Sequence, residues 1–226
     1  MFVVVPFRAN DGEHPDSVPI ANGLIIAANV LLFFLGWRWF AGPDTGVFSI
    51  IGYGFSHLGL AHLIINMWVL LVFGNPVNRR VGNTNYLLAY LGTILFLGLF
   101  ARLFQSDYII GASGGVYAVI AMFAMLLPAV YVELGYIAVL PVTLLIGLFS
   151  RPPHWLYWLI RWDRCRIRGW WFILLVPALQ ILGLIWWPFD SGTYLGHLMG
   201  FLCGVVAVLM LPATISMGRR ASYGMP

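Results

Sequence analysis

The chain has 226 residues, of which 61% are hydrophobic and 9% are charged, and its formal net charge is +4. A soluble globular protein carries about 25% charged residues and a disordered chain combines few apolar residues with high net charge, so this composition excludes both classes. Two cysteines are too few for a disulfide scaffold, and the small net charge leaves no extended basic face for nucleic acid. The composition indicates an integral membrane protein.

Six apolar stretches are long enough to cross a bilayer, which takes about 20 mainly apolar residues. In chain order they are Ile20–Phe40, Phe55–Gly74, Tyr86–Phe104, Ile109–Ala129, Trp170–Trp187 and Thr193–Leu211. A seventh apolar stretch, Val132–Phe149, contains Pro141 and begins beside Glu133.

The arginines indicate how the chain is oriented, because cytoplasmic loops carry an excess of basic residues. All twelve basic residues are arginines. With six spans and an inner N-terminus, ten of them lie inside and two, Arg38 and Arg102, lie outside. A seventh span would place the five arginines of Arg151–Arg168 outside. We therefore predict that Val132–Phe149 lies along the inner interface or dips in and returns, and that Arg151–Arg168 contacts lipid headgroups.

These patterns predict an all-α membrane protein, a bundle of six transmembrane helices with both termini in the cytoplasm. Residues 1–19 form a short cytoplasmic tail, residues 20–212 the membrane domain and residues 213–226 a second cytoplasmic tail. Residues 130–169 are an extended insertion on the inner side, between the fourth and fifth spans. The short tails suggest a bacterial inner membrane.

Four polar residues inside the predicted spans are informative, because each is costly to bury in a membrane. They are His62, Asn66, Ser113 and His197. His62 and Asn66 are four residues apart and therefore share one helix face. The second, fourth and sixth spans all start on the outer side in this topology. Ser113 and His197 lie about four residues into their spans, roughly 6 Å below the outer edge. His62 and Asn66 lie somewhat deeper, so all four can meet in one layer.

Small residues surround both the serine and the last histidine. They are Gly111, Ala112, Gly114 and Gly115 around Ser113, and Gly196, Gly200 and Gly204 beside His197. Glycines at every fourth position make a flat strip on which another helix can pack closely. Packing of the sixth span on the fourth would bring the His197 imidazole within hydrogen-bond reach of the Ser113 hydroxyl.

This pair indicates nucleophilic catalysis, since a serine hydroxyl is a weak nucleophile that needs an adjacent base. His197 is the candidate base for Ser113. No Asp or Glu lies inside the six predicted spans, so the sequence favours a dyad over a triad with an acidic member. The Asn66 amide, a His62 N–H and the Ser113 backbone N–H can supply the oxyanion with hydrogen bonds. Tyr117, one turn after Ser113, can stack on His197.

Three motifs, in this order along the chain, resemble those of the rhomboid intramembrane serine proteases. They are His62-x-x-x-Asn66, Gly111-Ala112-Ser113-Gly114 and Gly196-His197-x-x-Gly200-x-x-x-Gly204. The resemblance covers about residues 55–211 and implies a six-helix rhomboid-like bundle. It implies that Ser113 is the nucleophile and His197 the general base. It also implies that His62 and Asn66 serve the oxyanion and that Tyr117 supports the histidine.

The same resemblance implies further properties. The substrates would be transmembrane proteins with small residues at the cut and an easily unwound helix, met within the lipid bilayer, and no metal or organic cofactor would be needed. The fifth helix, Trp170–Trp187, would act as a lateral gate, and His57 would be structural. Two features depart from the family pattern: a Trp-Arg pair is missing from the first outer loop, and Asn78 stands in place of an acidic residue.

Two other classes of function stay open. The chain could be a proteolytically inactive rhomboid-like binder or chaperone of transmembrane helices, although such relatives typically lack the serine or the histidine and this chain has both. It could also be a metal- or haem-binding membrane protein that uses His57, His62 and His197. That alternative leaves the small residues around Ser113 unexplained.

Overall fold

A computed structural model of the chain describes residues 2–9, 18–104, 108–139, 143 and 160–212. The predicted tail 213–226, the polar part of the first tail, Arg151 and most of 140–149 lie outside these residues. The described chain contains eight α-helices and three strands. They are β1 (Phe2–Ala9), α1 (Ile20–Phe34), α2 (Ser49–Gly52), α3 (Leu60–Val69), α4 (Asn75–Val81), α5 (Asn83–Phe104), α6 (Ser113–Leu126), β2 (Tyr131–Val139), β3 (Ile160–Arg168), α7 (Trp171–Trp186) and α8 (Ser191–Met210).

Each of the six predicted spans contains a helix. Among the described residues, three helical stretches are long and apolar enough to cross a membrane: Leu60–Val81, Asn83–Phe104 and Ser191–Met210. The helices α1, α6 and α7 are apolar but shorter, with 15, 14 and 16 residues. The protein is therefore mainly helical with three candidate spans, and the count of six remains a prediction.

The first helix ends six residues before the predicted span does, at Phe34. Gly36 has a φ of +74°, a left-handed conformation that favours glycine. The Gly36 N–H donates to the Phe33 carbonyl and the Trp37 N–H donates to the Leu32 carbonyl, both at 3.0 Å. These two bonds form a Schellman motif, which pairs carbonyls that the helix end would leave open.

The helix that starts at Leu60 runs on to Val81 through one wide turn. Residues Leu70–Gly74 form a π-helical segment between α3 and α4, and Pro76 follows it without a backbone N–H to donate. The buried Asn22 of α1 donates from Nδ2 to the Leu70 carbonyl at 2.9 Å. Since unpaired backbone groups are costly inside a membrane, this bond stabilises the irregular turn.

The fourth apolar helix, α6, lies at the centre of the bundle. Eleven of its fourteen residues are buried, as expected for a helix that is apolar all round. α8 packs against α6 backbone to backbone. A Cβ on Gly200 would overlap the Gly114 carbonyl, and one on Gly204 would overlap the Ala118 carbonyl. A step of four residues along α8 matches a step of four residues along α6 in the same direction, so the two helices run parallel at this seam.

A three-stranded antiparallel sheet makes the all-α prediction wrong in one respect. β2 is the central strand, and it pairs with β1 from the chain start and with β3. Residues 132–139 are therefore a strand rather than a transmembrane helix. β3 alternates arginines with Cys165 and Ile167, which is the two-residue period of a strand. The arginines were interpreted as topology signals and lipid-headgroup contacts, and the two-residue period was overlooked.

The sheet lies at the end of the bundle away from Ser113. It is connected to the C-terminal end of α6 and the N-terminal ends of α1 and α7. Trp68 of α3 donates from Nε1 to the Pro6 carbonyl at 2.6 Å, and its ring meets Phe7 edge to face. These contacts hold β1 against the helices.

Candidate active site

Ser113 is the first residue of α6 and follows a tight turn. Gly111 has a φ of +114°, and its N–H donates to the Tyr53 carbonyl at 2.9 Å. A Cβ at Gly111 would lie 2.7 Å from Cε1 and 3.0 Å from Nε2 of His62. The His62 imidazole therefore lies on the backbone two residues before Ser113. A side chain at Gly111 would be strained and would also displace that ring.

The register between α6 and α8 places His197 at nearly the same height as Ser113. Gly200 faces Gly114 across the seam, and His197 is three residues before Gly200. In two parallel helices, that places His197 level with Gly111. A rise of 1.5 Å per residue then separates His197 from Ser113 by about 3 Å along the helix axis. Both residues are half-buried.

Two neighbours hold the His197 ring. Tyr117 stacks on it with ring centroids 4.1 Å apart and an interplanar angle of 11°. On the ring edge, Nδ1 lies 3.0 Å from Oε1 of Gln180 in α7. Gln180 also donates from Nε2 to the Tyr117 hydroxyl at 2.9 Å. Tyr117, Gln180 and His197 thus each contact the other two.

Among the described hydrogen bonds, none joins Ser113 Oγ to His197. The recorded polar partner of the histidine is Gln180. Hydrogen bonds between a nucleophile and its base are often long before substrate binds. The structure thus places the two predicted residues at adjoining helix positions without closing the bond between them.

Asn66 is buried one turn below His62 on the same face of α3. Its Nδ2 donates to the His62 backbone carbonyl at 2.9 Å, and 5% of the residue is exposed. An amide carries two N–H donors, and the described contacts use one of them. The other is available to an oxygen atom of a bound molecule.

His57 lies next to His62 but makes different contacts. Its ring is fully buried, and the two imidazole centroids are 5.0 Å apart at an interplanar angle of 66°. Neither ring nitrogen of His57 makes a hydrogen bond of normal geometry with another described residue. Within the described chain, no three His, Cys, Asp or Glu side chains form a group that could hold a metal ion. The three-histidine metal site is therefore not formed there.

Three of the five predicted packing glycines lie at the seam between α6 and α8, and two do not. Gly200 and Gly204 line the seam with α6, where Gly200 meets Gly114. A Cβ on Gly114 would also overlap Leu97 of α5. Gly111 contacts His62, as described above, and a Cβ on Gly196 would meet nothing within 4 Å. Gly111 and Gly196 therefore lie outside the seam.

Sequence reasoning missed Gln180. It is a buried amide in the fifth predicted span, with 8% of its surface exposed. A polar side chain inside an apolar helix indicates a functional site, but the candidate residues were taken only from the second, fourth and sixth spans. Its contact with His197 depends on how α7 packs, which the sequence does not state.

The fold and the site define a helical membrane protein in which a serine, at the start of a buried central helix, adjoins a histidine held by stacking and hydrogen bonding. Residues 44–214 match the family model of the Rhomboid domain. Because this match covers most of the chain, the chain belongs to the rhomboid family. This confirms the resemblance seen in the motifs, and it makes the chain an integral membrane protein.

Two curated relatives are similar to the chain. One is "Rhomboid protein 1, mitochondrial" of Saccharomyces cerevisiae, 34% identical over 91 residues, which are 37% of this chain and 26% of the relative. The other is "Rhomboid-like protein 16, chloroplastic" of Arabidopsis thaliana, 30% identical over 170 residues, or 58% of this chain and 52% of the relative.

The chain thus spans about a quarter and about half of the length of these two relatives. No solved structure matches the chain. The relatives are named for a mitochondrion and a chloroplast, so they do not support the prediction of a bacterial inner membrane.

Proposed function

We propose that this protein is an intramembrane serine endopeptidase that hydrolyses peptide bonds in or near the transmembrane helices of membrane-protein substrates. Ser113 is the nucleophile and His197 is the general base. The observation that carries the proposal is the position of His197, level with the start of α6 and fixed by Tyr117 and Gln180. Membership of the rhomboid family, whose members are generally proteases of this type, supports it independently.

The contacts of His197 are consistent with its proposed role as the general base. Its Nδ1 lies 3.0 Å from the carbonyl oxygen of Gln180, and the proposed mechanism uses Nε2 as the atom that accepts a proton. As Ser113 Oγ attacks the scissile carbonyl carbon, Nε2 takes the hydroxyl proton. It then gives that proton to the leaving amine, and an acyl-enzyme remains. Water attacks the ester by the same route in reverse and releases the second product.

The N-terminus of α6 can stabilise the oxyanion that forms when Ser113 attacks the carbonyl carbon. The N–H groups of the first residues of a helix have no acceptor within that helix, and they favour negative charge. At this start they belong to Ser113, Gly114 and Gly115, since the first intrahelical bond runs from Val116 to Ala112. In the proposed mechanism the Ser113 N–H, the free donor of Asn66 and the His62 ring bind the carbonyl oxygen as it becomes charged.

We also propose that all six apolar helices cross the membrane, with both termini on the cytoplasmic side. The sheet then lies at the inner surface, where its basic residues are expected. Arg164, Arg166 and Arg168 share one face of β3 and are exposed, and Arg166 pairs with Glu133 of β2 at 2.6 Å. The substrates are membrane proteins that reach Ser113 from within the bilayer.

A cleavage assay tests the proposed reaction. Purified wild type, Ser113→Ala and His197→Ala are reconstituted with a model single-pass substrate, and products are followed over time. Ser191→Ala, a half-buried serine at the start of α8, is the matched control. We expect wild type and Ser191→Ala to cleave and the other two variants to be inactive. Folded wild type that binds such helices but cleaves none of a substrate panel would support the inactive binder instead.

A further inference from the structure

Gln180 is the polar residue of α7 that the bundle buries. Only Gln180 and Gly183 of this helix are buried, while apolar side chains such as Leu179 and Ile185 are exposed. Burying an amide without partners is unfavourable, and both ends of this one are paired. α7 therefore has few buried residues, and one of these, Gln180, contacts the histidine of the candidate site.

The Gln180 amide lies between Tyr117 and His197 and contacts both. In the structure Nε2 donates to the Tyr117 hydroxyl at 2.9 Å, and the carbonyl oxygen Oε1 faces His197 Nδ1 at 3.0 Å. An amide oxygen only accepts hydrogen bonds. With the amide in this orientation, the contact is a hydrogen bond when the imidazole carries its proton on Nδ1.

The depth of Gln180 in the bundle is set by its neighbour one turn later. A Cβ on Gly183 would overlap the ring of Tyr194, near the start of α8. This close contact holds α7 against the helix that carries His197. Gln180 is thereby held at the height of the imidazole.

We infer that Gln180 is a positioning residue that holds His197 in the tautomer with its proton on Nδ1, so that Nε2 can accept the Ser113 proton. It occupies the place that a carboxylate has in a Ser–His–Asp triad, where the third member orients the ring and selects the tautomer. The amide is neutral, so it selects the tautomer without adding a charge to the membrane interior. This inference rests on the proposed function for its catalytic consequence but not for its structural content.

Kinetics of Gln180 variants test the catalytic consequence. Gln180→Leu removes the acceptor, and we expect kcat to fall about tenfold or more while KM stays within about twofold, because a neutral hydrogen bond contributes roughly a factor of ten. Gln180→Glu retains an acceptor for Nδ1–H and should recover most of the loss. Leu179→Ala, at the exposed neighbour, is the control and should leave kcat unchanged. Equal losses in the Leu and Glu variants would show that Gln180 acts only through packing.

A spectroscopic measurement tests the tautomer without any need for activity. The protein is labelled with 15N-histidine in detergent, and the His197 signal is identified by its absence in His197→Ala. We expect wild type to show a protonated Nδ1 and a bare Nε2, and Gln180→Leu to show a mixture of tautomers. A wild-type proton on Nε2, or an unchanged signal in Gln180→Leu, would overturn the inference. Inactive wild type with the expected signal would instead contradict the proposed function and leave the inference standing.

Discussion

Two polar clusters lie in this apolar bundle, and they differ in how fully their groups are paired. The asparagine cluster joins α1 to the α3–α5 region; its members are Asn22, Asn75, Asn78, Asn83 and Tyr86. The candidate active site lies around the start of α6. In the first, Asn22 donates to Leu70 and Asn75, accepts from Tyr86, and gives its backbone N–H to Asn78. In the second, neither ring nitrogen of His57 makes a hydrogen bond of normal geometry with a described residue, and no described hydrogen bond joins Ser113 to His197.

This difference in pairing indicates that the asparagine cluster stabilises the fold and that the candidate active site serves a reaction. A polar network whose groups are all paired fixes one arrangement of the helices, and the asparagine cluster does this where the π-helical turn needs an outside donor. Unpaired groups in a buried site call for an explanation such as catalysis or a ligand. The Ser113 hydroxyl and the second N–H of the Asn66 amide are two such groups, and both can interact with a bound substrate. The comparison predicts that substitutions in the first cluster change stability and those in the second change activity.

The largest expected loss of stability comes from Asn22→Leu. It would leave the Leu70 carbonyl, the Asn75 amide oxygen and the Tyr86 hydroxyl without their partner. Each buried group left unpaired costs about 1–3 kcal/mol, so the free energy of unfolding should fall by about 3 kcal/mol or more. Unfolding by denaturing detergent measures this.

Asn85→Leu is the control for that variant. The Asn85 amide donates to the Val81 carbonyl one turn earlier, and Asn85 is half-buried. Its replacement should cost less than about 1 kcal/mol. Equal losses in the two variants would mean that the asparagine cluster holds the helices no better than an isolated amide does.

A smaller loss is expected from Gly200→Val, at the seam. The new side chain would overlap the Gly114 carbonyl, and overpacking of this kind costs about 1–3 kcal/mol. Because the overlap also moves His197 away from Ser113, cleavage should fall more than stability does. Gly196→Ala, one turn earlier and in open space, should change neither. Full activity in Gly200→Val, measured together with thermal unfolding, would contradict the register that places the histidine.

The smallest effect is expected from His57→Phe. The ring is as deeply buried as Asn22, but its nitrogens make no hydrogen bond of normal geometry with a described residue. Phenylalanine retains the edge contact with His62, so the free energy of unfolding should change by less than about 1 kcal/mol. A loss close to that of Asn22→Leu would show that His57 has a polar partner and belongs with the paired cluster.

Parts of this molecule could be read from the sequence because they depend on neighbours in the chain. The six apolar stretches, the shared face of His62 and Asn66, and the glycines of α8 all follow from spacing. The partners of Asn22 could not be read in this way, since they lie 48 to 64 residues away. The same holds for Gln180, whose function depends on the packing of α7.

Two features of the structure, the sheet and the contacts of Asn78, were not predicted for more specific reasons. The sheet was missed because its strands are separated along the chain and because the arginines of β3 already had an explanation in the topology. Asn78 was noted only as a departure from the family pattern. In the structure it accepts from the Asn22 backbone and donates to Asn83 at 3.0 Å, so the amide links α1 to the start of α5.

Labelling by a fluorophosphonate probe tests the central claim most directly, because the probe reacts with a serine that an adjacent base activates. Folded wild type is incubated with the probe, and the modified peptide is identified by mass spectrometry, with His197→Ala and Ser191→Ala in parallel. We predict modification of Ser113 in wild type and Ser191→Ala, and a rate at least about 100-fold lower in His197→Ala. Folded wild type that stays unlabelled, or that labels at Ser113 equally fast without His197, would contradict the dyad.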